Sequence, residues 1–281
     1  MNIKKIAKRI GWSLLILVVL IYIGVGVWFK LNERKLAYHT DAKNLTPPDS
    51  LQLNYSEITV DMPQETKLVC GVMESSKTDS SSSWILYLHG NGGFDKGDIE
   101  RCKIFHDLGF NILAVHYRGF GKGTGEASEQ GLYSDGEAAY NFLTTARDAF
   151  PSKIIIYGHS MGCAIATMLA TKVSVAGLAI EGAFTSEAEL AWHYMPYYPW
   201  SLLITERLAS IDRIGNITAP KLLIHATDDQ AVPISFGREL FAKAVEPKTF
   251  LELVGGHNLA PAMDQEKFKP AFSEFSRKAI H

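Results

Sequence analysis

The sequence predicts an α/β fold: a mostly parallel, twisted sheet with helices on both faces, a small helical cap and one transmembrane helix ahead of them. Three observations carry this reading. Apolar, β-rich runs recur along the chain, and from the third onward most are separated by helix-like segments. The twenty residues from Ile10 to Phe29 include no Asp, Glu, Lys, Arg or His. Short glycine-containing turns directly follow several of the apolar runs.

The N-terminal run, IGWSLLILVVLIYIGVGVWF, is long enough at ~1.5 Å per residue to cross the ~30 Å hydrocarbon core of a bilayer. Lys4, Lys5, Lys8 and Arg9 precede it, and Lys30, Arg34 and Lys35 follow. Trp12, Tyr22 and Trp28 include candidates for interfacial anchors. No A-x-A pattern follows Phe29, so residues 1–30 read as an uncleaved anchor and not as a signal peptide. Four positive charges within nine residues favour an inside N-terminus, with the globular part on the extracytoplasmic side. Residues 31–57 are polar, contain Thr46-Pro47-Pro48-Asp49, and read as a juxtamembrane linker before a folded domain over 58–281.

Within that domain, strands are expected at 58–62, 67–74, 84–88, 111–116, 153–157, 175–180, 221–225 and 248–254. Helices are expected at 97–108, 133–149, 161–172 and 235–245. Continuous apolar strands alternating with amphipathic helices point to a parallel sheet covered on both faces, with an antiparallel hairpin at its start. SSKTDSSSS, residues 75–83, reads as a loop between strands, and a cap fits between the strands at 175–180 and 221–225, at about 185–218.

With 47% hydrophobic and 21% charged residues, the chain can bury a substantial core. A formal net charge of −2 offers no field for nucleic acid. Cys70, Cys102 and Cys163 are odd in number and lack CxxC spacing, so they form neither a disulfide framework nor a zinc site, although one bridge remains open. There is no H-E-x-x-H, no phosphate-binding G-x-x-x-x-G-K-[ST] and no G-x-G-x-x-G, so neither a metal nor an organic cofactor is expected.

Parallel sheets bind ligands beyond the carboxyl ends of their strands, which directs attention to four turns. GHSMG, residues 158–162, follows one apolar strand and opens an apolar helix. There Ser160 would sit on a sharp turn that lifts its Oγ above the sheet, with Gly158 and Gly162 giving room for close packing. A serine hydroxyl needs a base within hydrogen-bond reach. His257, in a Gly-Gly-His turn after the last strand, is the best placed of nine histidines; His159 is too near Ser160 in sequence to reach its hydroxyl. Asp228 and Asp229, in TDDQAVP (227–233), both qualify by position as the acid that orients the base. HGNGG, residues 89–93, exposes backbone N–H groups, so the N–H of Asn91 and that of Met161 are the candidate oxyanion donors.

These motifs, with YRGFGKGTGEASEQGLYSDGEAA (117–139), EGAFTS (181–186) and GGHN (255–258), make the chain resemble the α/β-hydrolase superfamily from about Ile58 to Phe275. More narrowly, it resembles the membrane-tethered branch of bud-emergence-related and depalmitoylase-like serine hydrolases. The resemblance implies a catalytic triad of Ser160, Asp229 and His257, the D-x-x-V-P spacing selecting Asp229. It also implies oxyanion donors at Asn91 and Met161. Two positions depart from the pattern: His116 stands where an Asp often precedes Tyr-Arg-Gly, and His159 where many branch members carry another residue.

The implied chemistry is acyl transfer to water. A membrane anchor, with aromatics Trp192, Tyr194, Tyr197, Tyr198 and Trp200 in the cap, suggests lipid-like esters or thioesters. Those aromatics read as candidate substrate-binding residues, as contacts with the membrane surface, or as ordinary packing of short helices. A peptidase or amidase with the same triad, and a non-catalytic hydrolase-fold binding module, are the alternatives.

Overall fold

The structure is a computed structural model that describes residues 3–41, 45–47, 51–62, 66–75 and 83–280. Pro48 and Asp49 of the expected linker, and residues 76–82 of the serine-rich loop, lie outside the described residues.

Helix α1 runs from Ile3 to Ala37, continuing past the apolar run. Its apolar side chains are exposed from Ile10 to Val27, and only Gly26 and Glu33 are buried along its length. By length and composition it is able to cross a membrane. After it, Tyr38 and Leu53 are already buried in the domain.

The sheet consists of β1 (Tyr55–Asp61), β2 (Lys67–Met73), β3 (Trp84–Leu88), β4 (Asn111–His116), β5 (Ile154–His159), β6 (Gly177–Glu181), β7 (Lys221–Ala226) and β8 (Lys248–Leu253). Their spatial order is β1-β2-β4-β3-β5-β6-β7-β8. The β1–β2 and β2–β4 pairs are antiparallel and the remaining pairs parallel. The central strands β3, β4 and β5 are buried throughout, as continuous apolar runs require when both faces are covered. Alternation still sorts their side chains: Trp84, Leu86 and Leu88 enter the core on one face, Ile85 and Tyr87 the core on the other.

Helices α2 (Lys96–Asp107), α3 (Glu129–Ala146), α4 (Gly162–Ala170) and α7 (Ile234–Lys243) correspond to the four expected ones. Helix α3 begins four residues earlier than expected, where the Ser128 side chain caps it by accepting from the Gly131 N–H. The cap contains α5 (Glu187–Tyr194) and α6 (Trp200–Leu203). Two further helices, α8 (Gly256–Met263) and α9 (Gln265–Ile280), close the chain. Phe268, Phe272 and Phe275 of α9 are buried, one helical face laid against the sheet.

The chain changes its direction of winding beside β3, with β4 on one side and β5 on the other. Such a switch leaves a crevice at the carboxyl ends of the two strands. The turn after β3 and the turn after β5 meet there: a Cβ added to Gly90 would lie 3.2 Å from the Ser160 Cβ.

Candidate active site

Strand β5 extends to His159, so Ser160 is reached with no intervening loop before α4 begins at Gly162. Ser160 adopts φ +53°, a left-handed conformation that L-residues with a side chain rarely hold. Its backbone is fixed on both sides, the N–H donating to the Glu181 carbonyl (2.8 Å) and its own carbonyl accepting from Cys163 (3.0 Å). The flanking glycines answer a space requirement. A Cβ on Gly162 would come within 2.0 Å of the Leu88 carbonyl oxygen, and one on Gly158 within 2.6 Å of the Gly162 carbonyl oxygen.

Ser160 Oγ lies 2.8 Å from His257 Nε2, and His257 Nδ1 lies 2.7 Å from Asp229 Oδ2. The second Asp229 oxygen accepts from the N–H groups of Ala231 and Val232, both at 2.8 Å. Burial alone would raise the Asp229 carboxyl, but the hydrogen bond and charge of His257, with those two donors, outweigh it and hold the group below its ordinary value. The neighbouring Asp228 faces the other way. Its Oδ1 accepts from Gly255 and Gly256, each at 3.0 Å, which fastens the turn that presents His257. That turn is shorter than the sequence suggests: Gly255 and Gly256 take φ +124° and +66°, and His257 already belongs to the first turn of α8.

The turn after β3 is held by its own histidine. His89 is fully buried, with Nδ1 2.6 Å from the Gly90 carbonyl, so that nitrogen carries the proton. Burial pushes its pKa down to about 4. Tyr117 donates to the His89 carbonyl at 3.2 Å. Among the described residues, the backbone N–H groups of Asn91 and Met161 meet no acceptor. His225 is buried behind the acid, donating from Nε2 to the Val232 carbonyl at 2.8 Å. His116 is buried as well, its pKa pushed down to about 3 by burial and by neighbouring His89 and Lys122.

A polar layer beneath Ser160, His257 and Asp229 escaped the sequence reading. Arg101 of α2 makes a two-armed ion pair with Glu181 at the end of β6, both contacts at 2.7 Å, and Tyr157 also donates to Glu181. Asp98 accepts from Tyr87 at 2.6 Å, and burial pushes its pKa up to about 7. His159 stands between this layer and the base, its Nε2 3.0 Å from the His257 carbonyl and its Nδ1 3.7 Å from Asp98 Oδ1. Burial, and then the Arg101 charge, hold His159 well below the usual imidazole value, hence neutral. The available signal was Glu181 itself, a charge closing an otherwise apolar strand directly beside the Ser160 strand.

The cap aromatics divide by location. Tyr194 donates to the carbonyls of Gln230 and Ala231 (2.8 and 3.0 Å), beside Asp229. Tyr198 stacks on Tyr22 of α1, and Trp200 is buried with its ring against Phe29. Trp192 and Tyr197 are exposed, and the Tyr197 carbonyl accepts from Tyr22. The described contacts of Tyr197, Tyr198 and Trp200 are therefore to α1 and the cap itself, not to Ser160 or His257. Cys70, Cys102 and Cys163 are all buried and unpaired.

Fold, crevice and strand-end residues together define an α/β-hydrolase, and the chain belongs to that family. The family described as alpha/beta hydrolase fold matches residues 83–203. An uncharacterized protein of Mycobacterium tuberculosis is 31% identical over 260 residues, covering 92% of each chain. Lysophosphatidylserine lipase ABHD12 of Danio rerio is 28% identical over 242 residues, 79% of this chain and 62% of that one. The mouse protein of the same name is 31% identical over 191 residues, so this chain spans about half its length. Among solved structures, an alpha-beta hydrolase of Vibrio vulnificus superposes with a TM-score of 0.69 at 21% identity, over 88% of this chain and 93% of that one. A Pyrococcus furiosus esterase gives 0.68 at 18% identity, over 85% and 98%.

Proposed function

We propose that this protein is a membrane-anchored serine hydrolase that cleaves carboxylic esters or thioesters of lipid-like acyl substrates. The observation that carries the proposal is the continuous hydrogen-bonded line from Ser160 Oγ through His257 to Asp229, at 2.8 and 2.7 Å. In this reading His257 Nε2 takes the Ser160 proton as Oγ attacks the substrate carbonyl. Asp229 holds the Nδ1–H tautomer and stabilises the imidazolium. The Asn91 and Met161 N–H groups receive the oxyanion, each contributing about 10²–10³ in turnover. The tetrahedral intermediate collapses, the imidazolium protonates the departing alcohol or thiol, and an acyl-Ser160 remains. Water, deprotonated by His257, then releases the carboxylic acid and restores Ser160.

The lipid-like substrate class is supported by the lysophosphatidylserine lipases among the relatives and by the apolar α1. The four basic residues ahead of the apolar run favour an inside N-terminus and a hydrolase domain on the opposite side of the membrane. An activity-based fluorophosphonate probe tests the core of the proposal. Labelling of the wild type that disappears in Ser160→Ala is the expected result; folded wild-type protein that takes no label would overturn it. A series of p-nitrophenyl esters tests the substrate class, since turnover indifferent to acyl length would refute a lipid-like acyl group.

A further inference from the structure

Helix α1 and the cap are fastened together along α1's C-terminal half, from Tyr22 to Glu33, and this fixes where the cap lies. Glu33, buried at 7% exposure, accepts from the N–H groups of Thr205 and Glu206, the latter at 2.7 Å. Lys30 donates to the Leu203 carbonyl at 2.8 Å. Further up the helix, Phe29 meets Trp200 at 4.5 Å between ring centroids, and Tyr22 stacks on Tyr198 at 4.4 Å with the planes 2° apart. Gly26 lies under the same ring, where a Cβ would be in ordinary van der Waals contact at 3.6 Å.

Tyr22 precedes Phe29 by seven positions, which is about 10 Å along a helix axis. Twenty residues of apolar helix are about the thickness of a bilayer's hydrocarbon layer, and the charges on each side leave little freedom to slide. Residues packed on Tyr22 therefore cannot stand in bulk water. The segment that meets it, YMPYYPWSLL (194–203), has no charged side chain. Apart from Ser201 and the prolines, its outward-facing members are large apolar or aromatic residues: Leu202 is 80% exposed, Tyr197 78% and Met195 45%.

We infer that residues 194–203 form a second membrane contact, dipping into the lipid interface on the domain side of the bilayer that α1 crosses. The inference rests on the anchor reading above. The occupant of this face is the bilayer itself, because Tyr198 and Trp200 of the segment pack directly on Tyr22 and Phe29 of the apolar α1 and its aromatic composition suits the headgroup boundary. The same segment reaches the catalytic loop, as Tyr194 donates to carbonyls beside Asp229.

Nitroxide labels on single cysteines test this in the full chain, reconstituted in phosphatidylcholine vesicles. The native cysteines are buried and spared by the reagent. Labels at Val18→Cys, Leu202→Cys and Phe150→Cys report α1, the cap and a control on the far side of the domain surface; all three side chains are exposed on the protein surface, so none is a core position. Their relaxation by oxygen, which concentrates in lipid, is compared with that by a water-soluble nickel chelate. The expected result is a ratio favouring oxygen at 18 and 202 and favouring the chelate at 150. A chelate-accessible 202 beside a lipid-protected 18 would overturn the cap contact and leave the anchor standing. A chelate-accessible 18 would remove the anchor and this inference together. Fluorophosphonate labelling of the same samples reports the hydrolase reading independently.

Discussion

His159 holds the backbone of His257: the Nε2 of the residue before the serine lies 3.0 Å from the carbonyl of the base. A carbonyl only accepts, so Nε2 carries the proton, and Nδ1 presents a lone pair towards Asp98, 3.7 Å away. The two rings sit 5.1 Å apart. His257 is thus fixed at its backbone from below and at its ring by Asp229.

Removing that support should misplace the base without deleting any reacting group. His159→Ala is expected to lose about ten- to a hundredfold in kcat, the scale of a misplaced catalytic group, with little change in KM. His159→Gln, which retains a donor, should recover part of it. Steady-state kinetics on a soluble ester would check both, and wild-type kcat in the alanine variant would refute the positioning role.

The adjacent aspartates should separate sharply. Asp229→Asn removes the acceptor that fixes the His257 tautomer and should cost about 10⁴-fold in kcat. Asp228→Asn only loosens the Gly255–Gly256 turn and should cost far less. Equal losses in the two variants would contradict this division.

Glycine at 162 is required by space. In Gly162→Ala the new methyl would overlap the Leu88 carbonyl at 2.0 Å, backbone that cannot turn aside. The expected cost is about 1–3 kcal/mol or more, read as a lower urea midpoint. An unchanged midpoint would show that the elbow yields more easily than its contacts imply.

Buried His116 should make the fold acid-sensitive. Its folded pKa is pushed down to about 3, below the usual imidazole value, so between pH 6.5 and about 3 the unfolded chain binds a proton that the folded chain refuses. Stability from this group is present above that window and is lost as pH falls through it, by about 1.4 kcal/mol per pH unit. Asp98, raised to about 7, acts in the opposite direction between its unfolded value and that pH, so the total slope alone is not diagnostic. The comparison is therefore between wild type and His116→Gln: the variant should lose the His116 part of the slope in urea titrations at pH 5, 6 and 7. Identical slopes would refute it.

Much of this was legible in the chain. Eight apolar runs foretold eight strands, most plainly β2 to β7, because a strand buried on both faces has no polar alternation to blur it. Helix α9 was not foreseen. Its Phe268, Phe272 and Phe275 stripe has helical spacing, but Pro270 lies inside it and reads as a breaker. Helix α8 carries Pro261 and was missed for the same reason. Ser160, His257 and both aspartates stood out as candidates because each lies in a turn at the carboxyl end of a strand. Arg101 and Asp98 were not, since they sit on α2, where charged residues are ordinarily solvated, and only the tertiary fold turns them inward. The link from Tyr22 to Tyr198 spans 176 positions and leaves no local trace.

The buried Glu33 ties α1 to the cap by way of the Thr205 and Glu206 backbone. With α1 crossing a bilayer as proposed, a hydrolase held in this way would keep its crevice at a fixed height above the surface. Its substrate would then be counted per unit area: diluting a lipid ester among inert lipids should slow turnover, whereas diluting the vesicles in buffer should not.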